Sequence, residues 1–282
     1  MAKKWYSAIW RAQTRLDLHD WQICNSINDV SLGVILQRCD ISKSTCALQY
    51  LDVRECDVSD RALSLISSIP NLRSLFLNGC KKISAKAFFS VEPACLAQLR
   101  HISLSSSFLN TLDLSVAALP TNLQSLHLYR EKQISVQELV TRLSQLHTLR
   151  LWICSLDSLE FLTYKTGDDR RGSNSTLRDL ELFSSIKANL QEGILQPLQT
   201  LTGLQLLRLH ECALRDEDLR YLTSLSALRV LVLRSNGITG PGKYLVFYLC
   251  SYFIFFYVCL FCYIYNYYFV LPLVKCSYAF YK

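Results

Sequence analysis

The chain has 282 residues, half of them hydrophobic, and carries 30 Lys and Arg against 23 Asp and Glu for a net charge of +7. That length buries a sizeable core and admits one large or two ordinary domains. Charged residues at 19% exclude a wholly disordered chain, and nine Gly with six Pro exclude collagen-like or Pro-rich material. The average hides a break near Gly242. Residues 243–282 hold no acid, only three bases, ten of the 15 Tyr and seven of the 13 Phe. The first 242 residues keep 27 bases and 23 acids, 27 − 23 = +4, a balance too mild to predict nucleic-acid binding.

In chain order, residues 1–18 come first. They carry Trp5 and Trp10, end in Leu16-Asp17-Leu18 and contain no long apolar stretch, so no secretory signal peptide is expected. From Leu48 onward the register L-x-x-L-x-L-x-x-(C/S/N) recurs. It begins at Leu48, Leu72, Leu99, Leu123, Leu146, Leu177, Leu204 and Leu228, at spacings of 24, 27, 24, 23, 31, 27 and 24 residues. Self-similarity at such a period predicts stacked repeats, none of which buries its apolar side alone. The L-x-L core predicts a short strand with alternate residues facing inward. Cys56, Cys80, Cys154 and Cys212, or Asn236 in the last repeat, fall where the chain turns, and a small polar group there can satisfy turn backbone. Helical returns are expected at 60–66 and 216–222. The charged stretch 165–175, with Gly167 and Gly172, explains the 31-residue spacing as an insertion.

Leu51-Asp52-Val53-Arg54-Glu55-Cys56 and Leu75-Phe76-Leu77-Asn78-Gly79-Cys80 resemble the cysteine-containing leucine-rich repeats of the ribonuclease-inhibitor-like class. Asn236-Gly237-Ile238-Thr239-Gly240 resembles their asparagine version. The resemblance implies an α/β solenoid, a curved parallel sheet inside and helices outside, over residues 21–242. The order of Trp5, Trp10 and Leu16-Asp17-Leu18 is similar to the last helix of an F-box running into a first repeat strand. Residues 1–20 are therefore read as the tail of an F-box or as an N-terminal cap helix, with Trp5 and Trp10 as the remnant that docks an adaptor. The usual L-P-x-E-(I/L) start is absent, so the chain reads as truncated at both ends.

Positions three, five and seven of each motif point away from the core, along the sheet's open face. Aromatic residues and arginines anchor protein interfaces. Tyr129, Trp152 and Phe183 share one position on consecutive repeats, and Arg150 and Arg208 flank Asp179 and Glu181. A protein-binding concave face made of Tyr129, Arg150, Trp152, Asp179, Glu181, Phe183, Arg208 and His210 is expected. The other reading is a mixed exposed surface without a particular partner.

No enzymatic chemistry is expected. No two histidines share a metal-binding spacing, and Cys259-x-x-Cys262 has neither a second pair nor a nearby His. No metal or cofactor is predicted, and the repeat cysteines read as buried turn residues in a reducing compartment, cytoplasmic or nuclear. Asn174-Ser175-Thr176 has the form of a glycosylation sequon.

The tail, residues 243–282, has two readings. Residues 244–274 carry no charge, which predicts an apolar helical tail crossing a membrane at about 245–265. Alternatively Gly242-Lys243-Tyr244 can be encoded by a sequence containing an intron donor, and the aromatic-rich tail is translated intron.

By resemblance, the expected function is a protein-binding scaffold, the substrate-recognition subunit of an SCF-type (cullin) ubiquitin ligase. Its partners would be a protein substrate on the concave face and, in a longer isoform, the SCF adaptor. The alternatives are a stand-alone repeat interaction protein or inhibitor, and a single-pass membrane-anchored repeat protein.

Overall fold

The computed structural model describes residues 12–19, 24–41, 43–91, 96–105, 119–131, 143–153, 176–184, 195–212, 214–234, 237–238 and 257–261. The chain divides into two compact units, Met1–Leu146 and His147–Lys282.

In the first unit, five strands follow one another in parallel: β1 (Arg15–Asp17), β2 (Tyr50–Asp52), β3 (Ser74–Phe76), β4 (His101–Ser105) and β5 (Ser125–Glu131). From β2 on, each strand begins at the third motif position, and the register is unbroken, with Leu51 opposite Leu75, Leu75 opposite Ile102 and Ile102 opposite Leu126. These residues are buried, as are the leading leucines Leu48, Leu72, Leu99 and Leu123. A fully buried leucine contributes about 1.5–3 kcal/mol of hydrophobic stabilisation. Repeating that at the same rung makes the stack cooperative along the chain. β1 lies inside residues 1–20 and has the pattern Gln13-x-x-Leu16-x-Leu18, which lacks a leading leucine.

The returns are helical: α1 (Asp29–Arg38), α2 (Asp60–Ser67) and α3 (Ala85–Phe89). Leu63 and Ile66 of α2 and Phe88 of α3 enclose one apolar space with Leu72, Leu75 and Leu99. The helix starts are laced together. Ser59 and Ser84 cap α2 and α3, accepting from the amides of Arg61 (3.3 Å) and Ala87 (3.1 Å). The aspartate that opens each helix then accepts from the next repeat's cap. Asp29 takes the Ser59 amide and hydroxyl at 2.8 and 2.5 Å, and Asp60 takes those of Ser84 at 2.6 and 2.9 Å. Each carboxylate sits at a positive helix end, where it is stabilised.

The strand-to-return turn explains the cysteines. The amides of Cys56 and Cys80 close turns on the carbonyls of Val53 and Leu77 (3.1 and 3.2 Å). The third residue of each turn is left-handed, Glu55 at φ 59° and Gly79 at φ 85°, the geometry that ordinarily selects glycine. In the second unit the residue before Cys212, Glu211, has φ 54°. The thiols reach back one repeat: Cys56 Sγ donates to the Leu18 carbonyl (3.6 Å) and Cys80 Sγ to that of Val53 (3.0 Å). Cys212 Sγ donates to that of Leu182 (3.7 Å). Each thiol thus satisfies a buried carbonyl of the preceding rung. Cys154 lies outside the described residues.

The second unit repeats the plan with β6 (Thr148–Ile153), β7 (Asp179–Ser184), β8 (Leu206–His210) and β9 (Val230–Arg234). They pair in parallel, Leu149 opposite Leu180, Leu180 opposite Leu207 and Leu207 opposite Leu231. The return expected at 216–222 forms as a 3-10 helix, Asp216–Leu222. Its Asp218 accepts from the Arg215 amide at 2.9 Å. The insertion 165–175 lies outside the described residues.

The expected apolar helix at 245–265 is corrected for the part of it that is described. Tyr257–Phe261 forms a strand, β10, parallel to β9 with Val258 opposite Leu231. Aromatic and β-branched residues favour strand over helix, and the edge of β9 offers unpaired backbone groups. Among the described residues no helix is long and apolar enough to cross a membrane. Among the described residues both units share one plan: short parallel strands in a common register, with cysteines at the following turns and helical or 3-10 returns.

Candidate functional site

Alternation along each strand sends every second residue to the face opposite the leucines. Because the strands start at the same motif position, those residues fall into rows across the sheet. Eight of them were expected to bind a partner, and seven lie in the second unit. Arg150 and Trp152 are on β6, Asp179, Glu181 and Phe183 on β7, and Arg208 and His210 on β8. Tyr129 is on β5 of the first unit, opposite Ser105. Trp5 and Trp10 lie outside the described residues.

The structure brings six of the seven into two adjoining rows, with Asp179 in the row beside them. In the aromatic row, Trp152 stacks on Phe183 with centroids 4.8 Å apart and planes 21° from parallel. His210 follows at 6.1 Å from Phe183. Offset stacks of this kind contribute about 0.5–1.5 kcal/mol beyond the area they bury. They hold the rings in place before any partner arrives. Trp152 remains 38% exposed, which makes it an exposed large hydrophobic side chain on this face.

The charged row centres on Glu181. Arg150 Nε and Arg208 Nη1 lie 3.4 Å from Glu181 Oε2, and His210 Nε2 lies 3.6 Å from Oε1. The Glu181 side chain is 15% accessible and that of His210 13%, against 37% for Arg150 and 31% for Arg208. Asp179 flanks the row, opposite Thr148 and Leu206. His210 belongs to both rows, joining the stack to the charges.

Sequence reasoning missed a second constellation, on the first unit. Arg15 lies 3.5 Å over the Tyr50 ring, Tyr50 stands 5.1 Å from Phe76, and Phe76 meets His127 edge-on at 6.3 Å. Beneath them Asp52 is fully buried. Arg54 grips it in fork geometry, Nε at 2.9 and 3.0 Å and Nη2 at 2.8 Å, and the Tyr50 hydroxyl donates to it at 3.2 Å. Burial, and then the Asp52 charge, pushes the Tyr50 phenol up. The hydrogen bond to Asp52 raises the Arg54 guanidinium. Tyr50-x-Asp52-x-Arg54 carried the signal, since i, i+2, i+4 share one strand face. Both of Asp52's oxygens are consumed within the chain, so this group braces the sheet.

His101 is lowered, chiefly by burial and then by Arg100, which favours the neutral ring. Ser125 Oγ and His127 Nε2 are 3.1 Å apart. Among the described residues no group of three or more His, Cys, Asp or Glu is placed to hold a metal ion.

No family model matches the chain. Among solved structures it is similar to an internalin from Listeria monocytogenes, with a TM-score of 0.37 and 19% identity over 73% of this chain and 65% of that one. It is also similar to a protein from Bacteroides fragilis, with a TM-score of 0.35 and 11% identity over 64% of each chain. The chain spans less than two thirds of the length of either. Likenesses this faint carry no functional argument. The repeat assignment stands on the register, turns and returns described above.

Proposed function

We propose that the chain is a protein-binding scaffold without a reaction of its own, and that its partner docks on the open sheet face of the second unit. The carrying observation is the stacked pair Trp152 and Phe183, with Trp152 38% exposed beside the Arg150–Glu181–Arg208 row. A pre-ordered aromatic pair beside arginines is the composition of interface hot spots. Tyr129 is the first unit's contribution to the same kind of face.

The test is capture of a partner by the wild-type chain and by a Trp152→Ala, Phe183→Ala variant of unchanged fold. Loss of capture supports the reading, and undiminished capture by the folded variant refutes it.

The finer reading is a substrate-recognition subunit of an SCF-type ubiquitin ligase in the cytoplasm or nucleus. It is supported by the F-box-like order of Trp5, Trp10 and Leu16-Asp17-Leu18 running into β1. Its mechanism is positioning: the sheet face holds the target while the amino end meets the adaptor. Stoichiometric co-purification of the adaptor with a longer isoform, lost on Trp5→Ala and Trp10→Ala substitution, tests it. Absence of the adaptor leaves a stand-alone interaction protein.

A further inference from the structure

Resting on the reading of this face as a docking surface, we propose that it recognises an extended acidic segment. In that segment a carboxylate bridges Arg150 and Arg208, and an aromatic side chain two residues away lies on Trp152.

Charge placement carries the first half. The Glu181 side chain is 15% accessible, while the arginine side chains on either side are 37% and 31% accessible. The two cationic side chains therefore keep more surface open to an incoming group than the carboxylate does. Glu181 is shared among Arg150, Arg208 and His210 at 3.4, 3.4 and 3.6 Å. All three distances exceed those of a well-formed charged hydrogen bond, about 2.7–2.9 Å. The contrast is Arg54, whose fork is closed on Asp52 at 2.8–3.0 Å. Glu181 therefore holds its two arginines near one another without closing either fork. Two guanidiniums arranged in that way fit a carboxylate from outside. Asp179 occupies the next row, opposite Thr148 and Leu206. It repels an acid placed over that row, so the carboxylate is confined to the side nearer the aromatic row.

Geometry carries the second half. The charged row and the aromatic row are two residues apart along every strand: Arg150 and Trp152, Glu181 and Phe183, Arg208 and His210. That separation is about 6.6 Å at 3.3 Å per residue. An extended peptide lying along the strands repeats the same i, i+2 spacing on its own inward side. An acid two positions from an aromatic ring therefore meets both rows at once.

The test uses immobilised nine-residue peptides with the core Glu-Ser-Phe and three controls, Gln-Ser-Phe, Lys-Ser-Phe and Glu-Ser-Ser, probed with the full chain at several salt concentrations. The expected result is Glu-Ser-Phe binding about tenfold tighter than Lys-Ser-Phe, with the preference shrinking as salt rises. Arg150→Gln with Arg208→Gln should abolish the Glu-over-Gln preference and keep the Phe-over-Ser preference. Trp152→Ala should do the reverse. Arg150→Lys with Arg208→Lys should restore the charge preference in part.

Binding of none of the peptides, equal binding of Glu-Ser-Phe and Gln-Ser-Phe, a preference for Lys-Ser-Phe, or an unchanged Glu preference in the arginine variant overturns the proposal. The docking reading fails separately, when partner capture survives Trp152→Ala, Phe183→Ala.

Discussion

Gly79→Ala and its mirror image, Glu55→Gly, test the rung on which this fold turns. Gly79 has φ 85°, and a β-carbon there would lie 2.7 Å from Glu55 Cγ and 3.2 Å from the Glu55 Cα and N. The Cγ belongs to a side chain that can swing away. The Cα and N belong to the preceding rung, which is fixed by the Glu55 amide's bond to the Asn78 carbonyl at 3.0 Å. Left-handed backbone costs a residue with a β-carbon about 1–2 kcal/mol. Crowding against fixed backbone adds at least about 1 kcal/mol. The stiffer unfolded chain returns about 0.4–1 kcal/mol. Gly79→Ala should therefore lose about 2 kcal/mol. Glu55 and Glu211 already occupy this conformation at φ 59° and 54°. Replacing either with glycine removes the strain but loosens the unfolded chain, a net gain of about 0.5–1 kcal/mol. Urea unfolding of the full chain, followed by far-ultraviolet circular dichroism, reads both signs. A Gly79→Ala variant within about 0.5 kcal/mol of wild type, the range of ordinary surface substitutions, would refute the argument. So would a loss of stability in both glutamate variants.

Other outcomes follow from the same structure. Arg54→Met should destabilise the first unit more than Asp52→Asn. The first leaves a fully buried carboxylate uncompensated, at about 3–5 kcal/mol, while the second frees a guanidinium that is 29% exposed and can hydrate. Thermal melts of the two variants decide, and the reverse order contradicts the assignment. Burial first, then neighbouring charges, pushes the Cys56 and Cys80 thiols up from 9.0 to about 12. Above pH 9 the unfolded chain sheds thiol protons that the folded chain retains, so stability should fall as pH rises from 9 toward 12. At pH 8 both thiols should alkylate far more slowly in the folded chain than in urea, as mass spectrometry of the labelled peptides would show. Ser84→Ala removes the hydroxyl that caps α3 and donates to Asp60, while the backbone amide keeps its bond to Asp60, and should cost about 1 kcal/mol in urea unfolding.

Most of the fold was legible because the leucine register repeats one physical demand. Leu48, Leu51 and Val53 are buried, and so are Leu228, Leu231 and Leu233 at the other end of the series. From β2 to β9 every strand starts at the third motif position. β1 fell outside the register because Gln13 stands where other repeats carry leucine. The left-handed turn was not legible, since Glu55 and Glu211 conceal a position that only Gly79 advertises. The lacing of Asp29 to Ser59 and Asp60 to Ser84 joins residues 30 and 24 apart, which no local pattern reveals. At the candidate site, the rows were legible from alternation. The convergence of Arg150, Arg208 and His210 on one carboxylate was not, because it depends on side-chain reach across three strands. The tail misled for a physical reason: an uncharged aromatic run satisfies the composition of a membrane helix and of a strand alike, and the described part, Tyr257–Phe261, is strand.

The central claim is that the second unit's sheet face docks a protein through Trp152 and Phe183. It is tested most directly by placing a photo-crosslinking amino acid with an aromatic ring at position 152 of the full chain, which keeps the stack on Phe183, and another at the exposed Val30 of α1, in cells. A discrete crosslinked partner is expected from position 152, suppressed by Phe183→Ala, and none from position 30. The same partner from both positions, or from position 152 regardless of Phe183, contradicts it.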